Sequence, residues 1–118
     1  MPATKVKPSP PVQSKSVNAF GLPPRTLNEM LNLLSGFEKI DTAVIYGSRA
    51  MGNYHAGSDI DIALIGDALN LQDLERIAGA LDESAIPYKV DLSILKLIDH
   101  PELRDHIARV GKVLYEKR

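Results

Sequence analysis

No cysteine occurs in the 118 residues, so neither a disulfide framework nor a thiolate metal site is open to this chain. An excess of charge is also missing. The 14 basic and 15 acidic residues leave a formal net charge of -1, which argues against a surface that binds nucleic acid as a whole. No apolar run approaches the roughly 20 residues that a membrane-spanning helix needs, and the N-terminus lacks the apolar segment of a signal peptide. The expectation is a cytoplasmic protein with neither a membrane nor a direct nucleic-acid partner. Walker A spacing, heptads and internal repeats are absent as well, so any nucleotide must be held by some other cradle.

Acidic residues are absent from positions 1 to 24, which hold six of the eight prolines together with Lys5, Lys7 and Lys15. Such a segment buries too little apolar surface to offset the entropy of ordering it. It reads as a flexible basic tail, with Phe20 and Leu22 as anchors should the tail dock on a partner. Residues 25 to 118 are then one domain, enough for a single core.

What is present in abundance is pattern between Val44 and Ile65. Val44 to Tyr46 read as a buried strand, Gly47 to Met51 as a turn into a short helix, and after a polar loop a second strand opens with the two carboxylates Asp59 and Asp61. Gly47 lacks a Cβ, which allows backbone to approach a bulky anion, and the helix start leaves N–H groups unpaired. Ser48 adds a hydroxyl. Side chains alternate along a strand, so Asp59 and Asp61 share a face while Ile60, Ile62 and Leu64 take the other. Two residues of rise set the carboxylates roughly 6 to 7 Å apart at Cβ, within reach of metal ions spaced by about 3.5 to 4 Å. Taken singly, Gly-Ser after a strand is also an ordinary turn, and Asp-x-Asp is also a solvated strand edge. The two together, enclosing ten residues, describe a phosphate cradle opposite a metal seat.

The flanking segments supply the scaffold. Thr26 and Glu29 have capping-box spacing, and Leu27, Met30, Leu31, Leu34 and Phe37 give an amphipathic helix to about Phe37. Gly66 and Asp67 make a turn, after which Asn70 can cap a helix carrying Leu71, Leu74, Ile77, Ala78 and Leu81. Pro87 leads into a strand from Tyr88 to Leu95, which a crossover through that helix would lay parallel to the strand of Asp61. There Val90, Leu92 and Ile94 face one way, Asp91 and Ser93 the other. An acid in so apolar a strand needs compensation, by a metal or by exposure at a sheet edge. Pro101 opens the last helix, with Leu103, Ile107, Val110 and Leu114 as its apolar stripe and His100, Arg104, His106 and Arg109 on solvated flanks. The three histidines, His55, His100 and His106, lack zinc-ligand spacing. The fold class is α/β, a small mixed sheet with helices in the order α-β-α-β-α-β-α.

Gly47-Ser48, ten residues, then Asp59-Ile60-Asp61 resembles the signature of the nucleotidyltransferase superfamily that includes DNA polymerase β. Across residues 26 to 116, including Ile-Pro-Tyr-Lys-Val-Asp-Leu at 86 to 92 and Pro-Glu-Leu-Arg-Asp-His-Ile at 101 to 107, the chain resembles the minimal nucleotidyltransferases. The resemblance implies a polymerase β palm-like fold, with Asp91 as third carboxylate beside Asp59 and Asp61. It implies Mg²⁺, two ions with Mn²⁺ as a substitute, held by those three residues, and a triphosphate gripped by Gly47 and Ser48. Arg49 is either a further triphosphate contact or an exposed helix residue. Three acids on one face repel, so the site should bind a cation or raise one pKa.

Proteins of this group typically act as antitoxins of HEPN-domain toxins, transferring AMP from ATP to a toxin tyrosine. Met51 departs from the family pattern, in which a second basic residue often stands at that position. A chain of this length has no residues for an acceptor-binding domain, so the acceptor surface is expected from another protein or another subunit. Two other functions remain open at this level: an antitoxin that masks its partner without catalysis, and a small-molecule adenylyltransferase.

Overall fold

The computed structural model describes residues 19–117. A 3-10 turn at Ala19–Gly21 leads into Leu22, which is buried completely beneath the sheet, and Phe20 packs against the same core. The boundary expected near residue 24 therefore moves. Positions 19 to 24 belong to the domain, because Leu22 has apolar neighbours to leave water for; the expected tail at residues 1–18 lies outside the described residues.

Helix α1 runs from Pro24 to Ser35 with Pro23 in extended backbone before it. Proline suits this first turn because its missing N–H has no intrahelical partner to lose. The capping box expected from Thr26 and Glu29 does not form: the helix starts three residues earlier, Thr26 is buried within it, and the Glu29 carboxylate instead accepts from the Ala85 N–H at 3.1 Å. Met30 and Leu34 form its inner stripe.

Strand β1 (Thr42–Tyr46), helix α2 (Gly47–Met51) and strand β2 (Ile60–Ile65) come next, then helix α3 (Leu71–Glu83), strand β3 (Val90–Ile94), helix α4 (Pro101–Val110) and strand β4 (Lys112–Glu116). The four strands are ordered β3-β2-β1-β4. β2 and β3 are parallel, as the crossover through α3 requires, while β1 runs antiparallel to both β2 and β4. β4 corrects the expected element order: the apolar spacing predicts helix as far as Leu114, but Gly111 adopts extended backbone, and Lys112–Glu116 pair with β1.

Alternation along the strands gives the sheet two unlike faces. Ala43, Ile45, Ile60, Ile62, Leu64 and Ile94 belong to one cluster with Met30 and Leu34 of α1 and Ile77 and Leu81 of α3. On the reverse, Val44, Tyr46 and Ala63 meet Leu103, Ile107 and Val110 of α4. α3 is anchored at its start by a reciprocal pair: the Asn70 side chain accepts from the Asp73 N–H at 2.9 Å, and the Asp73 carboxylate accepts from the Asn70 N–H at 3.0 Å. Lys39 (3.2 Å) and Arg76 (2.7 Å) also reach the same carboxylate.

Two measurements test this packing. Leu22→Ala should lower stability by about 2–5 kcal/mol, the usual cost of truncating a buried leucine, read from urea unfolding; a tail residue would change it by less than about 0.5 kcal/mol. Asp73 provides the second. Burial pushes its carboxyl up, but the Asn70 backbone N–H, Arg76 and Lys39 outweigh that and hold it below its ordinary value. A depressed carboxylate stabilises the fold fully above its unfolded pKa, about 4. The advantage of the native chain over Asp73→Asn is therefore expected to be constant from neutrality down to that pH, and to fade as acid protonates the folded carboxyl. Urea midpoints taken at pH 7 and near pH 3 check the sign.

Candidate active site

β1 ends at Tyr46, and the backbone turns through Gly47 at φ 72° into the five-residue helix α2. A left-handed φ of that kind is strained for any residue with a Cβ. A second constraint coincides with it: a Cβ at Gly47 would run into Oδ2 of Asp61. The turn therefore lies directly against the Asp61 carboxylate; the left-handed backbone calls for glycine, and any Cβ there would also push the carboxylate tip aside. α2 closes on Gly52, also left-handed at φ 86°, whose N–H donates to the Ser48 carbonyl at 2.9 Å. Ser48 is half-buried at the first turn of this helix.

The sheet register sets the remaining groups in a row. Tyr46 pairs with Asp61 across β1–β2, and Asp61 pairs with Asp91 across β2–β3. Paired residues on neighbouring strands lie about 5 Å apart and point to the same face, so the row reads Tyr46, Asp61, Asp91 on the α4 side of the sheet. Asp59 is exposed just before β2, where the Ile60 N–H donates to the Lys89 carbonyl at 2.9 Å and fixes the start of the strand against β3.

This crowding has an electrostatic consequence. The Asp61 carboxyl is pushed above its ordinary value, first by burial, then by the negative charges of Asp91 and Asp59, with His106 partly offsetting them. The Tyr46 hydroxyl is raised as well, by burial first, against which Ser93 works as a hydrogen-bonding neighbour, and then by Asp61 and Asp91. Asp61 thus feels both other carboxylates without a closed cage being formed: among the described residues no three His, Cys, Asp or Glu side chains are gathered as a metal site. Like charges hold each other apart unless a cation lies between them. The donor set still fits Mg²⁺, which takes hard oxygen ligands and binds through one or two carboxylates plus substrate phosphates. Neither thiolate nor a pair of imidazoles competes for the place.

Two residues are not where sequence patterning put them. Arg49 does not lie exposed: it is 2% exposed, and its guanidinium donates to backbone carbonyls, including Ser58 at 2.9 and 3.1 Å and Phe20 at 3.0 Å. It belongs to the packing of the loop, not to the anion cradle. His106 turns inward from its expected solvated flank, its ring edge-on to Tyr46 with centroids 6.1 Å apart. The spacing Leu103, His106, Ile107, Val110 carries that information, since residues three and four apart share a helix face. Met51, at the departure from the family pattern, is 48% exposed beside the site loop. An open groove of about 420 Å³ near Phe37, Leu69 and Ile77 belongs to the other face of the sheet.

A glycine turn pressed against a carboxylate row on one face of a mixed sheet defines the class, a nucleotidyl-transfer fold. The family model described as polymerase beta, nucleotidyltransferase, matches residues 28–118, and the chain belongs to that family. Among solved structures, a toxin–antitoxin complex with AMP-PNP is 30% identical at a TM-score of 0.64, the match covering 78% of this chain and 74% of the other. A mutant of the toxin–antitoxin pair MntA-HpeT is 26% identical at a TM-score of 0.63, with the same two coverages, 78% and 74%. The structure of a tri-AMPylated Shewanella oneidensis HEPN toxin in complex with MNT antitoxin, 24% identical at 0.52 over 79% and 71%, shares the fold. No curated protein is a significant match.

Gly47→Ala is expected to destabilise the protein by about 1–3 kcal/mol through backbone strain and the clash at Asp61. Adding Asp61→Ala should relieve the steric part only, so the double variant is less destabilised than the sum of the two singles. Urea unfolding of the four proteins of this cycle measures the coupling.

Proposed function

We propose that this chain transfers AMP from ATP to a hydroxyl of a partner protein, a tyrosine of a HEPN-domain toxin, and silences it as the antitoxin of the pair. The observation that supports this reading most directly is the contact between the Gly47 turn and Asp61, which sets a left-handed glycine turn against one of the carboxylates. The 30% identity to a chain from a toxin–antitoxin complex with AMP-PNP supports both the nucleotide and the kind of partner.

In this reading Gly47 and Ser48 grip the β- and γ-phosphates, while Asp59, Asp61 and Asp91 hold Mg²⁺. When bound, the metal supplies charge neutralisation on the triphosphate and a lowered pKa for the attacking hydroxyl. The tyrosine hydroxyl gives up its proton to solvent as its oxygen forms a bond to the α-phosphorus, the bond from that phosphorus to the α,β-bridging oxygen breaks, and pyrophosphate leaves. The chain's own contribution is positioning and electrostatics. Gly47 keeps the turn close to Asp61. Asp61 is half-buried while Asp59 and Asp91 are exposed, so it is at Asp61 that an uncompensated charge costs most and a cation arriving with the nucleotide is favoured. Arg49 has no part in gripping the triphosphate, since its donors are occupied by the protein's own carbonyls.

The decisive experiment incubates the protein with α-labelled ATP, Mg²⁺ and the product of the neighbouring gene. Covalent label on that partner is expected. Asp59→Asn with Asp61→Asn should reduce labelling by at least a hundredfold while circular dichroism stays native. Undiminished labelling by the double variant rejects the mechanism, and a stable complex without label identifies a masking antitoxin.

A further inference from the structure

Arg49 presents a problem that its removal from the triphosphate does not solve. A guanidinium at 2% exposure has lost its water, and among the described residues it has no carboxylate partner. Burying such a charge is costly unless its donors are met. Here backbone oxygens meet them. Nε and Nη2 converge on the Ser58 carbonyl at 3.1 and 2.9 Å, and Nη2 also reaches Ala56 at 3.4 Å. On the other side Nη1 donates to the carbonyls of Phe20 at 3.0 Å and Gly21 at 3.3 Å. The rings of Tyr54 and Tyr88 lie 5.3 and 5.0 Å from the guanidinium carbon, within cation–π range.

Three separate segments are joined at this one group: the entry strap at Phe20–Gly21, the loop between α2 and β2, and Tyr88 ahead of β3. The strap is fitted to it, for Gly21 is left-handed at φ 70° and any Cβ there would strike the Tyr54 ring. The position of the Ser58 carbonyl matters most. Asp59 comes directly after it, and Ile60 beyond is held by Lys89 of the adjacent chain segment at 2.9 Å. An exposed aspartate is thereby pinned on both flanks, by Arg49 before it and by the strand pairing after it.

We infer that Arg49 is a positioning residue, a clamp that fixes the backbone at Ser58 so that Asp59 stands in register with Asp61 at the active face. This rests on the reading of Asp59 as a metal ligand. Lysine cannot replace arginine in that role, because a single ammonium does not offer the planar fork that spans the Phe20 and Ser58 carbonyls.

The test compares Arg49→Lys and Tyr54→Ala with the native full-length chain. Tyr54 is 36% exposed, so its removal takes away one stacking face without emptying the core. Amide hydrogen exchange is monitored at Ser58 and Ile60, whose N–H groups donate to the carbonyls of His55 and Lys89. Exchange there should quicken at least tenfold in Arg49→Lys and about threefold in Tyr54→Ala, with the amides of β1 and α3 within twofold of native. In the labelling assay kcat should drop at least tenfold in Arg49→Lys while the KM for ATP stays within threefold. Native exchange in the loop of both variants overturns the clamp. So does a raised KM with kcat intact, which means direct contact with the triphosphate. Exchange that quickens equally in the core, with Tyr54→Ala native in the loop, reduces Arg49 to ordinary core packing and also overturns the proposal. If the native chain labels no partner, the transfer reading fails, while the exchange comparison still decides the clamp by itself.

Discussion

The close approach of the Gly47 backbone to the Asp61 carboxylate is the constraint on which the site depends. β1 ends and β2 begins at the same end of the sheet, since Tyr46 and Asp61 are register partners, so the turn leaving β1 must pass beside the carboxylate entering β2. Glycine makes that passage without strain in left-handed backbone, and without displacing the Asp61 carboxylate. Because this contact joins the exit of one strand to the entry of the next, the glycine and the aspartate belong to one structural unit.

The sheet divides its work between faces. Toward α1 and α3 it is apolar from β1 through β3, and burial there supplies the driving force for folding. The reverse face is covered by α4 around Val44, Ala63 and Ile107, while the row of Tyr46, Asp61 and Asp91 is charged and crowded. His106 stands where helix and acidic row meet, edge-on to Tyr46. Stability therefore comes mainly from one side of the sheet, and the other side accommodates an arrangement of like charges that is unfavourable by itself.

Much of this was legible in the chain because strand alternation is local. Ile60, Ile62 and Leu64 against Asp61, or Val90, Leu92 and Ile94 against Asp91, give a face to each residue before any fold is known. The parallel pairing of β2 and β3 is implied by the helix between them, and the cap at Asn70 by its place before an apolar stripe. Where local signals compete, residue patterns mislead. Thr26 and Glu29 have capping-box spacing, yet Pro23 and Pro24 start the helix earlier and Glu29 serves the α3–β3 loop. Leu114 continues a helical period, yet Gly111 breaks it and the open edge of β1 pairs with Lys112–Glu116.

Residue order by itself determined the alternation of the strands, the stripes of α1, α3 and α4, and the ten-residue interval between Ser48 and Asp59. Each rests on geometry repeated every two or every 3.6 residues, or on plain spacing, and needs no distant partner. Only the tertiary structure decided that Leu22 is core, that β4 exists, that His106 faces Tyr46, and that Arg49 is buried among carbonyls of the entry strap and the α2–β2 loop. Those outcomes depend on contacts between parts of the chain far apart in order, where the environment of a side chain is set by whatever the fold brings to it.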